Sequence, residues 1–130
     1  LITRLMREVV TAGIGGRATQ IGVPAGGKSG TASKNAYTTD TWFVGFTSRH
    51  LTAAWMGDDT YERSLGDEDA SYTTATPMWT QYMAQVVAKI PHENLPLHRP
   101  PGITSKNVDA RTGAEPPVAG MPAATLYFKE

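Results

Sequence analysis

The 130-residue sequence predicts an α+β domain in which helices flank an antiparallel sheet. Residues 41–47, TWFVGFT, and 51–57, LTAAWMG, are rich in aromatic and β-branched residues. Only SRH separates them, which is typical of a β-hairpin. Apolar residues at helical spacing occur before this hairpin at 1–10 and after it at 76–90. The order of elements is therefore helix, loop, strand, hairpin, helix and tail.

The first helix is predicted from apolar residues that recur on one face, namely Leu1, Leu5, Met6, Val9 and Val10. Gly13 stands where a left-handed cap would end this helix. Residues 13–22, GIGGRATQIG, contain four glycines and no hydrophobic period. They predict a loop with one short helical turn around Arg17 to Gln20.

The second helix is predicted to begin with Thr76 as its cap and Pro77 at the first helical position. Its apolar stripe comprises Met78, Trp79, Tyr82, Met83, Val86 and Val87. From Pro91 onward, closely spaced prolines exclude a regular helix. Residues 91–130 therefore predict a proline-rich tail or linker that ends in a short strand at ATLYFK.

Charge and composition exclude several classes of function. Twelve basic and twelve acidic residues give a formal net charge of +0, so no basic field indicates a nucleic-acid partner. The absence of cysteine excludes disulfides, thiol nucleophiles and thiolate zinc sites. The opening run carries Arg4, Arg7 and Glu8, so it is neither a signal peptide nor a membrane span. We therefore expect the chain to be part of a longer protein.

Three groups of residues have simpler interpretations than a binding site. The acidic stretch 58–74 lacks the glycine that a calcium loop needs at its sixth position, where Arg63 stands if Asp58 is first. No metal spacing connects the three histidines, which are His50, His92 and His98. The aromatic residues Trp42, Phe43, Trp55 and Trp79 are interpreted as core packing rather than as a sugar-stacking platform.

The stretch GVPAGGKSGT, residues 22–31, matches two different motifs. Gly22 to Ser29 satisfies the phosphate-loop pattern G-x-x-x-x-G-K-[ST], which requires a buried strand before it and a helix after it. The preceding GGRATQI is not a buried strand, and the following GTASKNAYTTDTWF disfavours a helix. GIGGRA likewise matches a dinucleotide fingerprint but follows a helix, so neither nucleotide motif has its structural context.

The second interpretation is Lys-Ser-Gly-Thr, a variant of the Lys-Thr-Gly box of serine acyl enzymes. Residues 26–34 are small and polar, which suits a strand whose surface a ligand or another backbone approaches closely. Alternation along such a strand places Lys28 and Gly30 on one face, and Ser29 and Thr31 on the other. Glycine at 30 would keep a substrate from clashing with the strand, whose unpaired amides could bind an oxyanion.

Four blocks in this order resemble the end of the transpeptidase domain of class A (bifunctional) penicillin-binding proteins. The blocks are LMREVVTAGIGGRAT, GGKSGT, DTWFVGFT and LTAAWMGDD, and the tail segments PPGI and VDARTG are also similar to that family. The resemblance implies that residues 1–90 are the C-terminal portion of a transpeptidase domain and that residues 91–130 are a proline-rich extension. It also implies the penicillin-binding protein and serine β-lactamase-like fold, whose sheet contains the Lys-Thr-Gly strand.

The resemblance further implies a D,D-transpeptidase that cross-links peptidoglycan stem peptides through an acyl-enzyme. Lys28 matches the lysine that supplies positive charge and helps proton transfer, while Ser29 and Thr31 match the hydroxyl residues that bind the substrate carboxylate. Gly30 matches the glycine of the box, and the backbone amide of Thr31 would be one oxyanion donor. No metal or organic cofactor is implied. The implied partners are D-Ala-D-Ala stem peptides, β-lactam antibiotics and the upstream part of the same domain.

The nucleophile is missing from this chain. None of the six serines is followed three positions later by lysine, and both Ser-x-Asn matches, Ser33 to Asn35 and Ser105 to Asn107, come after the third box. We therefore expect the chain alone to be inactive. The family implies a location at the extracytoplasmic, periplasmic face of the bacterial inner membrane, with any anchor outside this segment. The alternatives are a non-catalytic domain that binds wall peptide or a partner, a β-lactamase-like hydrolase, and a nucleotide binder.

Overall fold

The computed structural model describes residues 1–91, 93–115, 117 and 119–129. Its elements are helix α1 (Ile2–Thr11), a 3₁₀ helix (Gly16–Ile21), strands β1 (Gly26–Lys34), β2 (Tyr37–Phe46) and β3 (Leu51–Gly57), helix α2 (Ala75–Val87), and strands β4 (Ile103–Asp109) and β5 (Ala123–Lys129). Contacts within the chain divide it into two compact units, Ile2–Pro96 and a second one that begins at Leu97. The predicted α+β fold with an antiparallel sheet is confirmed.

The first unit is built on a three-stranded antiparallel sheet in the order β1-β2-β3. Because side chains alternate along a strand, each row across the sheet belongs to one face. The row Ser29, Phe43 and Ala54 is buried. The next row contains Trp42 and Trp55, which are both exposed. The sheet therefore has one core face and one exposed face.

Helix α2 covers the core face through Trp79, which is fully buried. The rings of Trp79 and Phe43 pack in a T-shaped arrangement with centroids 5.1 Å apart, and the Trp79 indole N–H donates to the carbonyl oxygen of Thr52 at 3.0 Å. Residues from α1, the 3₁₀ helix, the connection to β1, the sheet and α2 form one core cluster: Val10, Ala18, Ile21, Ala25, Phe43, Ala54, Ala75, Trp79, Met83 and Val87. This burial is the main stabilising term for the unit.

Glycines on β1 and β2 allow these rings to approach the backbone. Gly27 and Gly45 are paired across the two strands. A Cβ atom at Gly45 would lie 2.6 Å from the Trp79 ring, and one at Gly27 would lie 2.7 Å from the Phe43 ring. Gly27 and Gly45 are therefore required by the aromatic core packed against these strands.

The predicted helix ends need two corrections. Gly13 does not adopt a positive φ, so the left-handed cap predicted there is wrong. Glycine is nevertheless needed, because a Cβ atom at this position would lie 2.8 Å from the carbonyl oxygen of Val9. The left-handed residue is Gly22, with φ of 76°, and it ends the 3₁₀ helix that confirms the predicted helical turn.

Helix α2 begins two residues earlier than predicted, with Thr74 as its N-cap. The predicted cap at Thr76 is wrong, and Pro77 is the third helical residue, still within the first turn where its missing N–H is tolerated. The predicted apolar stripe is also too wide. Trp79, Met83 and Val87 are buried, whereas Met78 and Tyr82 are exposed.

The second unit contains a two-stranded antiparallel sheet formed by β4 and β5. The predicted terminal strand is confirmed as β5, but β4 was not predicted, since its sequence ITSKNVD is mostly polar. Asp109 ends β4 and accepts hydrogen bonds from the backbone N–H groups of Arg111 and Thr112, each at 2.9 Å. Pairing between segments that are distant in sequence thus gives order to part of the predicted tail.

The acidic stretch after β3 is a loop organised by Asp58. Its carboxylate accepts hydrogen bonds from the Thr60 hydroxyl and from the backbone N–H groups of Thr60, Glu62 and Arg63. These bonds, the Thr60 hydroxyl first, lower the pKa of Asp58 from its ordinary value of 3.8. Asp58 is therefore engaged in closing its own turn.

No helix in the described part of the chain has the length and apolar composition needed to cross a membrane.

We predict that Gly45→Ala destabilises the first unit by about 1–3 kcal/mol, because the added methyl group must displace the Trp79 and Phe43 rings. Urea unfolding of the chain, followed by tryptophan fluorescence, measures this change. Gly16→Ala is the matched control, since nothing lies within 4 Å of a Cβ atom there, and it should change the free energy by less than about 0.5 kcal/mol. Equal stability of the two variants would contradict the packing described.

Candidate functional site

The Lys28 to Thr31 motif lies in the middle of β1, where the register with β2 decides the direction of each side chain. Lys28 is paired with Val44 and Gly30 with Trp42, both of which are exposed. Ser29 is paired with the buried Phe43, on the other face. The predicted alternation is therefore confirmed: Lys28 and Gly30 share the exposed face, while Ser29 and Thr31 share the face of the core.

The four motif residues differ in exposure. Lys28 and Thr31 are exposed, Gly30 is half-buried and Ser29 is buried. The Lys28 ammonium group donates a hydrogen bond to the carbonyl oxygen of Ser29 at 2.8 Å. The structure thus brings the Lys28 ammonium to the exposed face beside Gly30 and holds the Ser29 side chain on the opposite side of the strand.

Strand β1 is an edge strand, since among the described residues it is paired with β2 alone. Only one of its two edges is paired in the sheet. A substrate backbone can bind to such an edge by adding a further strand. The position of the motif on an edge strand is the context that the Lys-Ser-Gly-Thr interpretation requires.

The phosphate-loop interpretation of the same residues fails in the structure. Gly22 ends a 3₁₀ helix, and the residues from Gly26 onward form β1 rather than a loop that opens a helix. A phosphate loop depends on the unpaired amides at a helix N-terminus. A strand takes the place of that helix N-terminus here. Residues 22–29 therefore match the phosphate-loop pattern without having its nucleotide-binding geometry.

Gly30 differs from the other glycines of β1 because packing within the chain does not require it. A Cβ atom there would meet only the Trp42 Cβ atom at 3.4 Å, which is an ordinary contact, and its φ is not positive. Glycine weakens a strand unless something approaches it closely. Among the residues that the structure describes, no such neighbour lies above Gly30.

Two tryptophans on the exposed face were wrongly assigned to the core. Trp42 and Trp55 are 43% and 40% exposed, and their ring centroids are 6.1 Å apart on adjacent strands. Phe43 and Trp79, by contrast, are buried as predicted. Alternation could have revealed this, because the consecutive residues Trp42 and Phe43 point to opposite faces of one strand.

No cluster suited to a metal ion occurs among the described residues: no three His, Asp or Glu side chains converge. Asp58 in the acidic loop serves its own turn. His92 lies outside the described residues.

Comparison with known proteins shows which family this chain is similar to. The family model described as the penicillin binding protein transpeptidase domain matches residues 1–90. Penicillin-binding protein 1A of Pseudomonas aeruginosa is 32% identical over 99% of this chain. Penicillin-binding proteins 1A of Haemophilus influenzae and Escherichia coli are 36% and 35% identical over 81% and 68% of it. The chain spans only 15%, 13% and 11% of the lengths of these three relatives.

A solved structure supports the same conclusion. The 2.6 Å crystal structure of penicillin-binding protein 1A from Haemophilus influenzae matches 99% of this chain with a TM-score of 0.76 and 28% sequence identity. The match covers 19% of that protein's chain. The resemblance expected from the four sequence blocks is therefore confirmed. The chain is a segment of a penicillin-binding protein transpeptidase domain and belongs to that family.

Proposed function

We propose that this segment forms one wall of a serine D,D-transpeptidase site whose nucleophile lies outside the chain. In this reaction the serine oxygen attacks the carbonyl carbon of the penultimate D-alanine of a stem peptide, and the terminal D-alanine leaves. An amine from a second stem peptide then takes the acyl group and releases the serine. β-Lactam antibiotics would acylate the same serine.

The roles proposed for the motif follow from its chemistry. The Lys28 ammonium group supplies positive charge and helps proton transfer near the serine. The Ser29 and Thr31 hydroxyls hold the terminal carboxylate, and the Thr31 backbone N–H donates to the developing oxyanion. Because the Ser29 side chain is buried on the opposite face from Lys28, its role requires the carboxylate to approach the edge of β1.

One observation carries the proposal: the open surface above Gly30, next to an exposed lysine. The rings of Phe46 and Phe43 exclude any side chain at Gly26 and Gly27, whereas at Gly30 only an ordinary contact with Trp42 would be made. A glycine that the fold does not require is explained by a ligand that lies against the strand.

The proposal extends to the organisation of the protein. It assigns residues 1–90 to the transpeptidase domain and residues 91–130 to a proline-rich extension. The upstream part of the domain would contribute the remaining two boxes of the site. The protein would act on peptidoglycan at the periplasmic face of the inner membrane, with its anchor outside residues 1–130.

Lys28→Ala should lower acylation by about 10²- to 10⁴-fold, the usual contribution of proton transfer by a positioned side chain. The measurement uses a chimera in which this chain replaces the matching stretch of Pseudomonas aeruginosa penicillin-binding protein 1A, labelled with a fluorescent penicillin. Lys34→Ala is the matched control: this exposed lysine lies on the same strand and pairs with Glu62. Equal labelling of the Lys28 and Lys34 variants would reject the role of Lys28.

Gly30→Ala should lower acylation of the same chimera by about 10- to 100-fold, since the methyl group displaces the acyl donor from the strand. The stability of the isolated chain should change by less than about 0.5 kcal/mol, because the fold leaves room at this position. Calorimetry and labelling are measured in parallel. A variant that is labelled normally would show that no ligand lies over Gly30.

The isolated 130-residue chain should form no covalent adduct with penicillin, because none of its serines begins a Ser-x-x-Lys sequence. Intact-mass spectrometry after incubation with a fluorescent penicillin tests this, with the unmodified chimera as the positive control. A stable adduct on the isolated chain would place the nucleophile within it and refute this part of the proposal.

A further inference from the structure

Asp40 is a buried carboxyl group on the face of the sheet that exposes Trp42 and Trp55. It is 3% exposed, although it lies on β2 two residues before Trp42 and therefore on the same face. One oxygen, Oδ1, accepts a hydrogen bond from the indole N–H of Trp55 at 2.9 Å. The other oxygen, Oδ2, is buried with no hydrogen-bond partner among the described residues. A buried polar group with an unmet hydrogen bond is costly.

The surrounding backbone is shaped around this carboxyl group. The register between β1 and β2 shifts at Ala32 and Ser33, so that Thr39 has no partner of its own. The three consecutive residues next to this irregularity, Thr39, Asp40 and Thr41, are all buried, so both faces of β2 are covered here. Across the sheet, Gly57 makes room for the indole, since a Cβ atom there would lie 2.6 Å from the Trp55 ring and would also clash with Asp40 Oδ1.

A series of neighbouring residues connects the Asp40 to Trp55 hydrogen bond with the candidate site. Trp55 is paired with Trp42, and their ring centroids are 6.1 Å apart with the planes tilted by 40°. Trp42 is paired in turn with Gly30. Trp42 is thus flanked by a tryptophan on one side and by a residue with no side chain on the other.

We propose that Asp40 is a positioning residue: by holding Trp55 beside Trp42, it keeps the Trp42 ring from leaning over Gly30 into the space for the acyl donor. When Trp55 is released, the aromatic contact that holds the Trp42 ring on the Trp55 side is lost, and Gly30 has no side chain to keep the ring off its surface. The ring then occupies the surface that Lys28 and Gly30 present. This inference rests on the proposed function, because it assigns a donor to that surface.

The test compares Asp40→Leu with Asp40→Asn in the chimera. Leucine removes the acceptor for the Trp55 indole, whereas asparagine keeps an acceptor oxygen of similar geometry. For Asp40→Leu we expect the apparent dissociation constant for penicillin to rise by about 10- to 100-fold, the scale of effect that a small misplacement has. The limiting acylation rate constant should be unchanged, since the obstruction acts on binding. Asp40→Asn should bind penicillin as tightly as the unmodified chimera does.

A second substitution tests whether the effect of Asp40→Leu is caused by the Trp42 ring. If its ring obstructs the site in Asp40→Leu, the double variant Asp40→Leu with Trp42→Ala should recover tight binding. A loss caused only by a damaged fold would not be rescued by removing a second large side chain. If Asp40→Leu fails to fold, Trp55→Phe takes its place, because it removes the indole N–H and keeps an aromatic ring. It should raise the dissociation constant for penicillin by the same factor.

The hydrogen bond itself is measured on the isolated chain. The Trp55 indole N–H should exchange slowly with solvent in the unmodified chain and in Asp40→Asn, and rapidly in Asp40→Leu. The Trp79 indole N–H, bonded to Thr52, is the internal reference. Loss of Trp55 protection with unchanged penicillin binding would overturn the inference while leaving the proposed function intact. Absence of Lys28-dependent labelling in the unmodified chimera would overturn the proposed function, and the inference with it.

Discussion

The insertion of Trp79 over Gly45 is the constraint on which the first unit depends. The indole lies against the backbone of β2, packs at a steep angle against the Phe43 ring and donates to the carbonyl oxygen of Thr52. One side chain from α2 thus joins the helix to two strands through both apolar contact and a hydrogen bond. A large buried aromatic ring with a satisfied N–H combines burial with a fixed direction. The crossing of α2 over the sheet follows from this contact.

The same contact holds the strand that carries the motif. Phe43, packed against Trp79, places its ring against Gly27, the residue directly before Lys28. The Phe43 ring thus packs against the core face of β1 at the point where the other face of the strand carries Lys28 and Gly30. A site built on a strand held in this way keeps its geometry better than one built on a loop. The buried aromatic cluster and the candidate site therefore lie on opposite faces of the same strands.

Local patterns identified the strands of the first unit well and the helix ends less well. Strands β1 and β3 have the predicted bounds, whereas β2 begins at Tyr37, four residues before the predicted stretch 41–47. The start of α2 was misplaced because the N-cap, Thr74, makes no side-chain capping hydrogen bond; its hydroxyl is hydrogen-bonded to the Thr41 hydroxyl on β2 at 2.7 Å and to the carbonyl oxygen of Ala70 at 2.6 Å. Asp40 was missed because its partner Trp55 lies on another strand. The polar strand β4 became recognisable only through its pairing with β5.

The sequence was sufficient to predict the class of fold, the position of the Lys28 to Thr31 strand and the alternation of its side chains, because composition and a period of two residues are local properties of a chain. It also contained enough of the family's blocks for the family to be recognised. Two distinctions became visible in the folded chain: Phe43 lies on the core face and Trp42 does not, and the packing requires Gly27 but not Gly30. Both distinctions depend on which side chains from distant segments meet, and no local pattern records that.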